Sequence, residues 1–284
     1  MRNLSICIPT FNREAFLKWT LDKTIADFPE AKIIVSDNAK TSTLIPPSVR
    51  YLRQSENVGS FNNMRAALLA ANTKYCMFLG DDDYLVKDEV QKGIDFLESH
   101  PEVSVYFAPC QLYNEVEQKA DWPAFYVAED KTFLRQDELW NFIMQNHVWP
   151  EHAIYRRAGL SEVMARRYRP YWCFTDLSQL LRKGPVHFAK TPFYRNITAH
   201  PVGPRSKLGD NQCLTDFDEY RAGLEILAYD LFKAGMTPEL KVQINTGIRH
   251  FIYCRIEVAH RLLLAQNRVD EATLYLKRME IMGY

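Results

Sequence analysis

The chain has no surplus of charge: 35 basic residues face 35 acidic ones. It therefore has no overall field to draw it onto nucleic acid, and any anion it binds must be held by a local site. Paired cysteines are missing as well. Cys7, Cys76, Cys110, Cys173, Cys213 and Cys254 are scattered, with no Cys-x-x-Cys step and no histidines interleaved at zinc spacing, so they read as reduced, mostly packed thiols of a cytoplasmic protein. No stretch reaches the roughly 18 apolar residues of a membrane span, which limits the expectation to peripheral membrane contact at the inner face. A secretory leader is not expected either, because the strand-like Leu4–Ile8 starts almost at once, without a basic start or a small-residue cleavage site. Neither a GxxxxGK[ST] loop nor a GxGxxG turn is present, which argues against nucleoside-triphosphate and dinucleotide sites of those kinds. Repeats and low-complexity segments are absent.

What is present is apolar bulk. At 284 residues and 47% hydrophobic content, the chain suffices for one large domain, or for a catalytic domain with a smaller extension. The first hundred residues alternate short β-branched runs with helical patterns, which predicts an α/β fold on a mostly parallel sheet. Strands are expected at Leu4–Ile8, Lys32–Ser36, Val49–Leu52, Tyr75–Leu79 and Val103–Phe107. Helices are expected from about Glu14 to Asp27, from Val58 to Ala71 with Asn57 as cap, and from Lys87 to Ser99; Phe61, Met64, Leu68 and Ala71 should face the sheet. From Tyr106 to Trp149 the pattern is irregular and aromatic, with Trp122, Phe125, Tyr126, Trp140 and Trp149, reading as a packed cluster or as a wall for stacking sugars. Helical patterns return at Asp137–Gln145 and Asp176–Lys183, then short strands at Val186–Ala189 and Phe193–Arg195. Thr198–Asn211 reads as a long loop, and such loops often serve as lids. Beyond Leu214 the pattern is helical, with one apolar stripe through Leu224, Ile226, Leu227 and Leu231 and another through Ile252, Ile256, Leu263 and Leu264.

In an open α/β sheet, ligands bind beyond the carboxyl ends of the strands, so polar residues there carry the most information. Strand one runs into Pro9-Thr10-Phe11-Asn12-Arg13, strand two into Ser36-Asp37-Asn38 and strand four into Gly80-Asp81-Asp82-Asp83. Three adjacent carboxylates after the apolar Cys76-Met77-Phe78-Leu79 repel one another in a partly dry setting, and a cation relieves that repulsion. In extended backbone Asp81 and Asp83 point the same way and share a metal; in a kinked turn Asp82 is selected instead. All-oxygen ligation suits Mg²⁺ or Mn²⁺. Each feature also has a plainer reading. The aspartates can be a turn capping the helix near Lys87, Asp37-Asn38 can be ordinary turn chemistry, and Thr10 and Asn12 can cap the first helix. Gly59, Asn62, Asn63 and Arg65 open the second helix, where free N–H groups favour an anion.

In this order, the pieces resemble family 2 glycosyltransferases of the GT-A fold, a Rossmann-like sheet flanked by helices. The match is carried by residues 4–8 with Pro9-Thr10-Phe11-Asn12-Arg13, by Asn57-Val58-Gly59, and by Tyr75-Cys76-Met77-Phe78-Leu79-Gly80-Asp81-Asp82-Asp83-Tyr84-Leu85. The subgroup it resembles contains O-antigen and capsule sugar transferases of the abequosyltransferase-like kind. The resemblance implies a catalytic domain over 1–212, with a nucleotide-sugar half (1–110) and an acceptor half (111–212), and a helical extension over 213–284. It implies nucleotide-sugar contacts at Pro9, Thr10, Asn12, Arg13, Asp37, Asn38, Gly59, Arg65, Asp81 and Asp82, and a divalent metal, Mn²⁺ or Mg²⁺, held among Asp81, Asp82, Asp83 and His200. Gly80 stands where many members carry the first aspartate of the run. Transfer with inversion needs a base for the acceptor hydroxyl. Asp176 in Tyr171-Trp172-Cys173-Phe174-Thr175-Asp176-Leu177-Ser178 is the expected base, a helix N-cap its plainer reading, and Glu151 the reserve. His200, Arg205 and Ser206 are expected to close over the diphosphate. The donor is expected to be a UDP-type sugar and the acceptor a glycan or lipid-linked sugar in bacterial polysaccharide or glycolipid assembly; the helical tail completes the fold or pairs two subunits. The rival readings are a sugar-nucleotide-binding module without a base, and a Mg²⁺-dependent nucleotidyl- or phosphotransferase.

Overall fold

The computed structural model describes residues 1–39, 45–165, 170–204 and 216–283. The chain forms two compact units: residues 1–134, 149–167 and 179–205 make the first, and residues 135–148, 168–178 and 206–284 the second. The helical unit thus draws on two earlier segments besides the C-terminal region.

The first unit is built from β1 (Leu4–Thr10), α1 (Glu14–Asp27), β2 (Lys32–Asp37), β3 (Arg50–Arg53), α2 (Ser60–Ala70), β4 (Tyr75–Phe78), β5 (Tyr84–Leu85), α3 (Lys87–Ser99), β6 (Val105–Phe107), β7 (Cys110–Asn114), β8 (Lys119–Pro123), β9 (Lys131–Phe133), β10 (Ala153–Arg156), α5 (Leu160–Val163), β11 (Val186–Phe188) and β12 (Tyr194–Ala199). The second is built from α4 (Gln136–Gln145), the start of α6 (Trp172–Lys183), α7 (Phe217–Phe232), α8 (Pro238–Ala265) and α9 (Val269–Ile281).

The eight-stranded sheet runs β3-β2-β1-β4-β10-β6-β11-β9. β1 pairs in parallel with β2 and β4, and β2 with β3, whereas β10 is antiparallel to both its neighbours and β9 antiparallel to β11. The central strands read as continuous apolar runs because both faces are covered: Leu4, Ile6, Cys7 and Ile8 of β1 are fully buried, as are Tyr75, Cys76 and Met77 of β4. A smaller sheet, β5-β12-β7-β8, lies in the same unit. It occupies part of the stretch the sequence leaves irregular: residues 110–123 form a hairpin that leaves Trp122 strongly exposed, and Tyr126 beyond it is exposed too, while Phe125 is buried.

Several boundaries differ from the sequence expectation for physical reasons. α2 starts at Ser60, not Val58, because Gly59 sits at φ 83, ψ 162, a region that only glycine occupies readily. Asn57 therefore does not cap the helix; its Oδ1 accepts from the Gly59 N–H at 2.9 Å and from Asn38 Nδ2 at 3.0 Å. α6 starts at Trp172, so Asp176 lies inside the helix and is not its N-cap. β12 continues to Ala199, past the point where the loop was expected. Residues 205–211 of that loop, with Arg205 and Ser206, lie outside the described residues.

In the helical unit the expected stripes are the buried ones. Leu224, Leu227 and Leu231 of α7 and Ile252, Ile256 and Leu263 of α8 are at most 4% exposed, although Ile226 is only half-buried and Leu264 turns outward. Trp140 of α4 meets Phe232 edge to face, and Phe174 meets Phe251 likewise.

Candidate active site

The strand order reverses direction at β1 and β4, and the crevice at the carboxyl ends of those two strands is where an open α/β sheet binds its ligand. Thr10, at the end of β1, donates its hydroxyl to Asp81 Oδ2 at 2.7 Å. Arg13, in the turn that follows, spans two carboxylates, with Nη1 2.8 Å from Asp81 Oδ1 and Nη2 2.5 Å from Asp82 Oδ2. Its guanidinium lies over the Phe16 ring at 4.8 Å. The plainer readings of these residues do not hold. No side chain caps α1, since Thr10 is spent on Asp81, and none caps α3, so the aspartates are not a helix cap.

The third aspartate faces another way. Asp83 Oδ2 accepts from Tyr194 Oη at 2.8 Å and Asn196 Nδ2 at 3.2 Å, while Oδ1 accepts from the Ile197 N–H at 2.9 Å, all on β12. The Tyr194 hydroxyl in turn accepts from the Gly80 N–H at 2.9 Å. A Cβ on Gly80 would lie 2.8 Å from Asp83 Oδ2 and 3.1 Å from Tyr194 Oη, which explains glycine at this position. The turn is thus clamped to β12 on one side and to β1 on the other.

Electrostatics separate the two sides. Asp81 is pushed up to about 6, chiefly by burial and further by the neighbouring Asp82, against the lowering effect of Arg13 and Thr10. Arg13 bridges the two buried carboxylates, and Asp81 is nonetheless held above the usual carboxylate range. Burial, together with Asp83, also raises the Tyr194 phenol, which stays a neutral hydrogen-bond donor. His152 stacks on Tyr194 with centroids 3.8 Å apart and is pushed down to about 3 by burial, so it is a neutral ring at ordinary pH.

At the end of β2, Asp37 is 1% exposed. Its Oδ1 accepts from the Ala39 N–H at 2.7 Å, the Asx turn that its position suggested, and its Oδ2 from the Tyr51 hydroxyl at 2.6 Å. Asn38 fastens the loop before α2 by accepting from the Val58 N–H at 3.1 Å and donating to the Gly59 carbonyl at 3.2 Å. Asn63, buried on α2, ties β1 to β2 through the carbonyls of Thr10 (3.1 Å) and Ser36 (3.0 Å). Asn12 occupies the same turn as Arg13 with a left-handed φ of 54°, and Pro9 is half-buried at the end of β1.

The other expected residues have the following surroundings. Arg65 donates Nε to the Met164 carbonyl at 3.0 Å, on the α5 side of α2. His200 is buried, its ring edge-on to Phe16 and Trp19 at 4.7 and 4.4 Å, and its Nδ1 accepts from the Val202 N–H. It backs the aromatic support under Arg13. Asp176 belongs to the helical unit and is 2% exposed. Two residues after it, Ser178 donates to the buried Asp230 of α7 at 2.8 Å. The residues that sequence reasoning missed are Tyr51, Tyr194 and Asn196, polar groups whose partners are distant in the chain; the sequence places Asn63 only at the opening of α2. Only Tyr194 and Ile197, the buried positions of β12, left a trace in the apolar pattern.

A reversing α/β sheet with buried carboxylates at its switch point belongs to the open-sheet class, whose ligands bind at that point. Comparison with known sequences makes this more specific. The chain belongs to glycosyl transferase family 2, whose family model matches residues 5–164. The uncharacterized protein Rv1520 of Mycobacterium tuberculosis is 28% identical over 171 residues, covering 54% of this chain and 47% of that one. Abequosyltransferase RfbV of Salmonella typhimurium is 31% identical over 113 residues, covering 35% of this chain and 34% of that one. The chain thus spans half or less of the length of these curated relatives. Among solved structures, S. aureus TarS in complex with UDP-GlcNAc superposes with a TM-score of 0.54 at 16% identity, over 99% of this chain and 92% of that one. At that identity the likeness is one of fold.

Proposed function

We propose that the protein transfers a sugar from a nucleoside-diphosphate sugar, of the UDP type, to a hydroxyl of a glycan or lipid-linked acceptor, with inversion at the anomeric carbon. The observation that carries the reading is the buried Asp81–Asp82 pair, set beside Thr10 and Arg13 at the switch point of a family 2 sheet. Structures of similar fold have been solved with UDP, with UDP-GlcNAc, and with GDP-Man and Mn²⁺, which supports a nucleotide-sugar donor here.

Asp81 and Asp82 suit a divalent cation. Both are oxygen donors and both are buried, and burial together with the neighbouring Asp82 pushes Asp81 up to about 6. A bound Mn²⁺ or Mg²⁺ would supply neutralisation of the charge that develops on the leaving diphosphate. The residues of the chain do the rest. Thr10 and Arg13 orient the carboxylates, Asp37 and Asn38 hold the base and ribose end of the crevice, and Gly59 lets the α2 N-terminus approach the ligand with no side chain in the way. The acceptor hydroxyl oxygen bonds to the anomeric carbon as that carbon's bond to the diphosphate oxygen breaks. The hydroxyl proton passes to the carboxylate of Asp176.

The test is transfer from a panel of UDP, GDP, CDP and dTDP sugars, with the anomeric configuration of the product read by NMR. Asp176→Asn is expected to retain donor binding and lose about 10³-fold in kcat. Full activity in that variant removes Asp176 from the role, and a product of retained configuration removes the single-displacement mechanism.

A further inference from the structure

Within the helical unit, three metal-binding side chains converge away from the carboxylate turn. His147, His250 and Cys254 bring one ligand atom each to within 4.8 Å of one another. His250 and Cys254 are one turn apart on α8, a spacing that puts both on one face, and Cys254 Sγ is 3.7 Å from His250 Nε2. The His147 ring lies 5.5 Å from that of His250. Tetrahedral bonds of zinc length hold nitrogen and sulfur ligands about 3.4–3.6 Å apart, so the α8 pair stands close to ligating separation and a small rotation of His147 completes the set.

The third arm is positioned by the end of α4. The Asn146 N–H closes the last turn on the Phe142 carbonyl, and the Val148 N–H reaches back to the Ile143 carbonyl, the 6→1 bond of a Schellman-type terminus. His147 holds its left-handed position at φ 48°, where glycine would carry no strain. The ring rests against Phe251 at 5.2 Å. Two imidazoles and a thiol form a nitrogen and sulfur donor set, which favours Zn²⁺ over the oxygen-seeking Mg²⁺ and Mn²⁺. Cys254 is the one partly exposed thiol among the described cysteines, and His250 is exposed, so the cluster is open to solvent on one side.

We propose that His147, His250 and Cys254 bind a Zn²⁺-class cation with water in the fourth position, fastening the end of α4 to α8. The site is independent of the proposed sugar transfer. Its test is Co²⁺ titration of the full chain, followed by the near-ultraviolet thiolate-to-cobalt charge-transfer band and the visible d–d bands of tetrahedral Co²⁺. The carboxylate turn cannot produce the thiolate band. One equivalent of sulfur-bound Co²⁺, displaced by Zn²⁺, is expected in the wild type. Cys254→Ser should abolish the band, and His147→Ala and His250→Ala should each weaken binding at least ~10-fold. Zn²⁺ should raise the melting temperature of the wild type by about 5 °C more than that of Cys254→Ser. Circular dichroism of each metal-free variant shows whether it has folded, and the conservative Cys254→Ser carries the test if an alanine variant has not. The proposal fails if no thiolate band forms, if the band survives Cys254→Ser, or if His147→Ala binds as tightly as wild type.

Discussion

The two sides of the carboxylate turn are built from the same residue type and do opposite work. Toward β1, Asp81 and Asp82 are bridged by the Arg13 guanidinium and Asp81 is pushed up to about 6, the side that suits a cation. Toward β12, Asp83 accepts hydrogen bonds from Tyr194, Asn196 and Ile197, which hold it to that strand. Adjacency in sequence therefore does not make three equivalent ligands. The turn from Gly80 to Asp83, closed by the Asp83 N–H on the Gly80 carbonyl at 3.4 Å, sends one aspartate toward β12 and two toward the crevice, and a Cβ on Gly80 would meet Asp83.

Four substitutions or conditions break this comparison if it is wrong. The largest effect is expected from Asp83→Ala, which strands the buried Tyr194 hydroxyl and Ile197 N–H and the half-buried Asn196 amide and should cost about 4 kcal/mol of stability in urea unfolding; a loss under 1 kcal/mol would mean that the β12 side is not a clamp. Asp82→Asn should lower kcat/KM by about 10²-fold, or ~2.7 kcal/mol, while leaving the unfolding midpoint nearly unchanged. The reverse pattern, intact catalysis with lost stability, would exchange the roles of the two sides.

The third prediction concerns pH. His152 is stacked on Tyr194 and pushed down to about 3, so the unfolded chain binds a proton there at pH values where the folded chain does not. Its contribution to stability is complete above the ordinary histidine range near 6.5 and is lost as the pH falls, by about 2 kcal/mol at pH 5. His152→Phe should flatten the difference between unfolding curves at pH 7 and pH 5 by that amount, and an unchanged slope would count against the burial of this ring. The smallest effect is expected from Gly80→Ala, about 1.5 kcal/mol of destabilisation as the added methyl presses on Asp83 and Tyr194; a stabilised variant would show that the turn is looser than described.

The parts of this arrangement that the sequence reveals are those written in local periodicity. β1, β2 and β4 are visible as apolar runs ending in polar residues, and parallel pairing brings those ends to one edge, which is why Thr10, Asp37 and Asp81 are found by inspection. The stripes of α7 and α8 are visible for the same reason. Pairings between distant segments leave no local pattern. Nothing near Asp83 announces Tyr194 or Asn196 more than a hundred residues away, and the ring of His147 meets α8 only once the helical unit has folded. Local rules also misled where a backbone conformation overrode them. Asn57 has the side chain of a cap, but the φ of Gly59 places the helix start beyond its reach. Asp176 looks like a cap, but α6 begins a turn earlier because Trp172, Cys173 and Phe174 follow the helical pattern. Antiparallel β10, only Ala153–Arg156, is too short to be seen without the strands it joins.

The division of the turn is tested most directly by calorimetric titration of UDP, with and without Mn²⁺, into wild type, Asp82→Asn and Tyr194→Phe. The account predicts that Mn²⁺ strengthens UDP binding in wild type, that Asp82→Asn abolishes this gain, and that Tyr194→Phe keeps it within about 3-fold. An Asp82→Asn variant whose UDP affinity rises with Mn²⁺ as in wild type, while Tyr194→Phe loses that dependence, would contradict it.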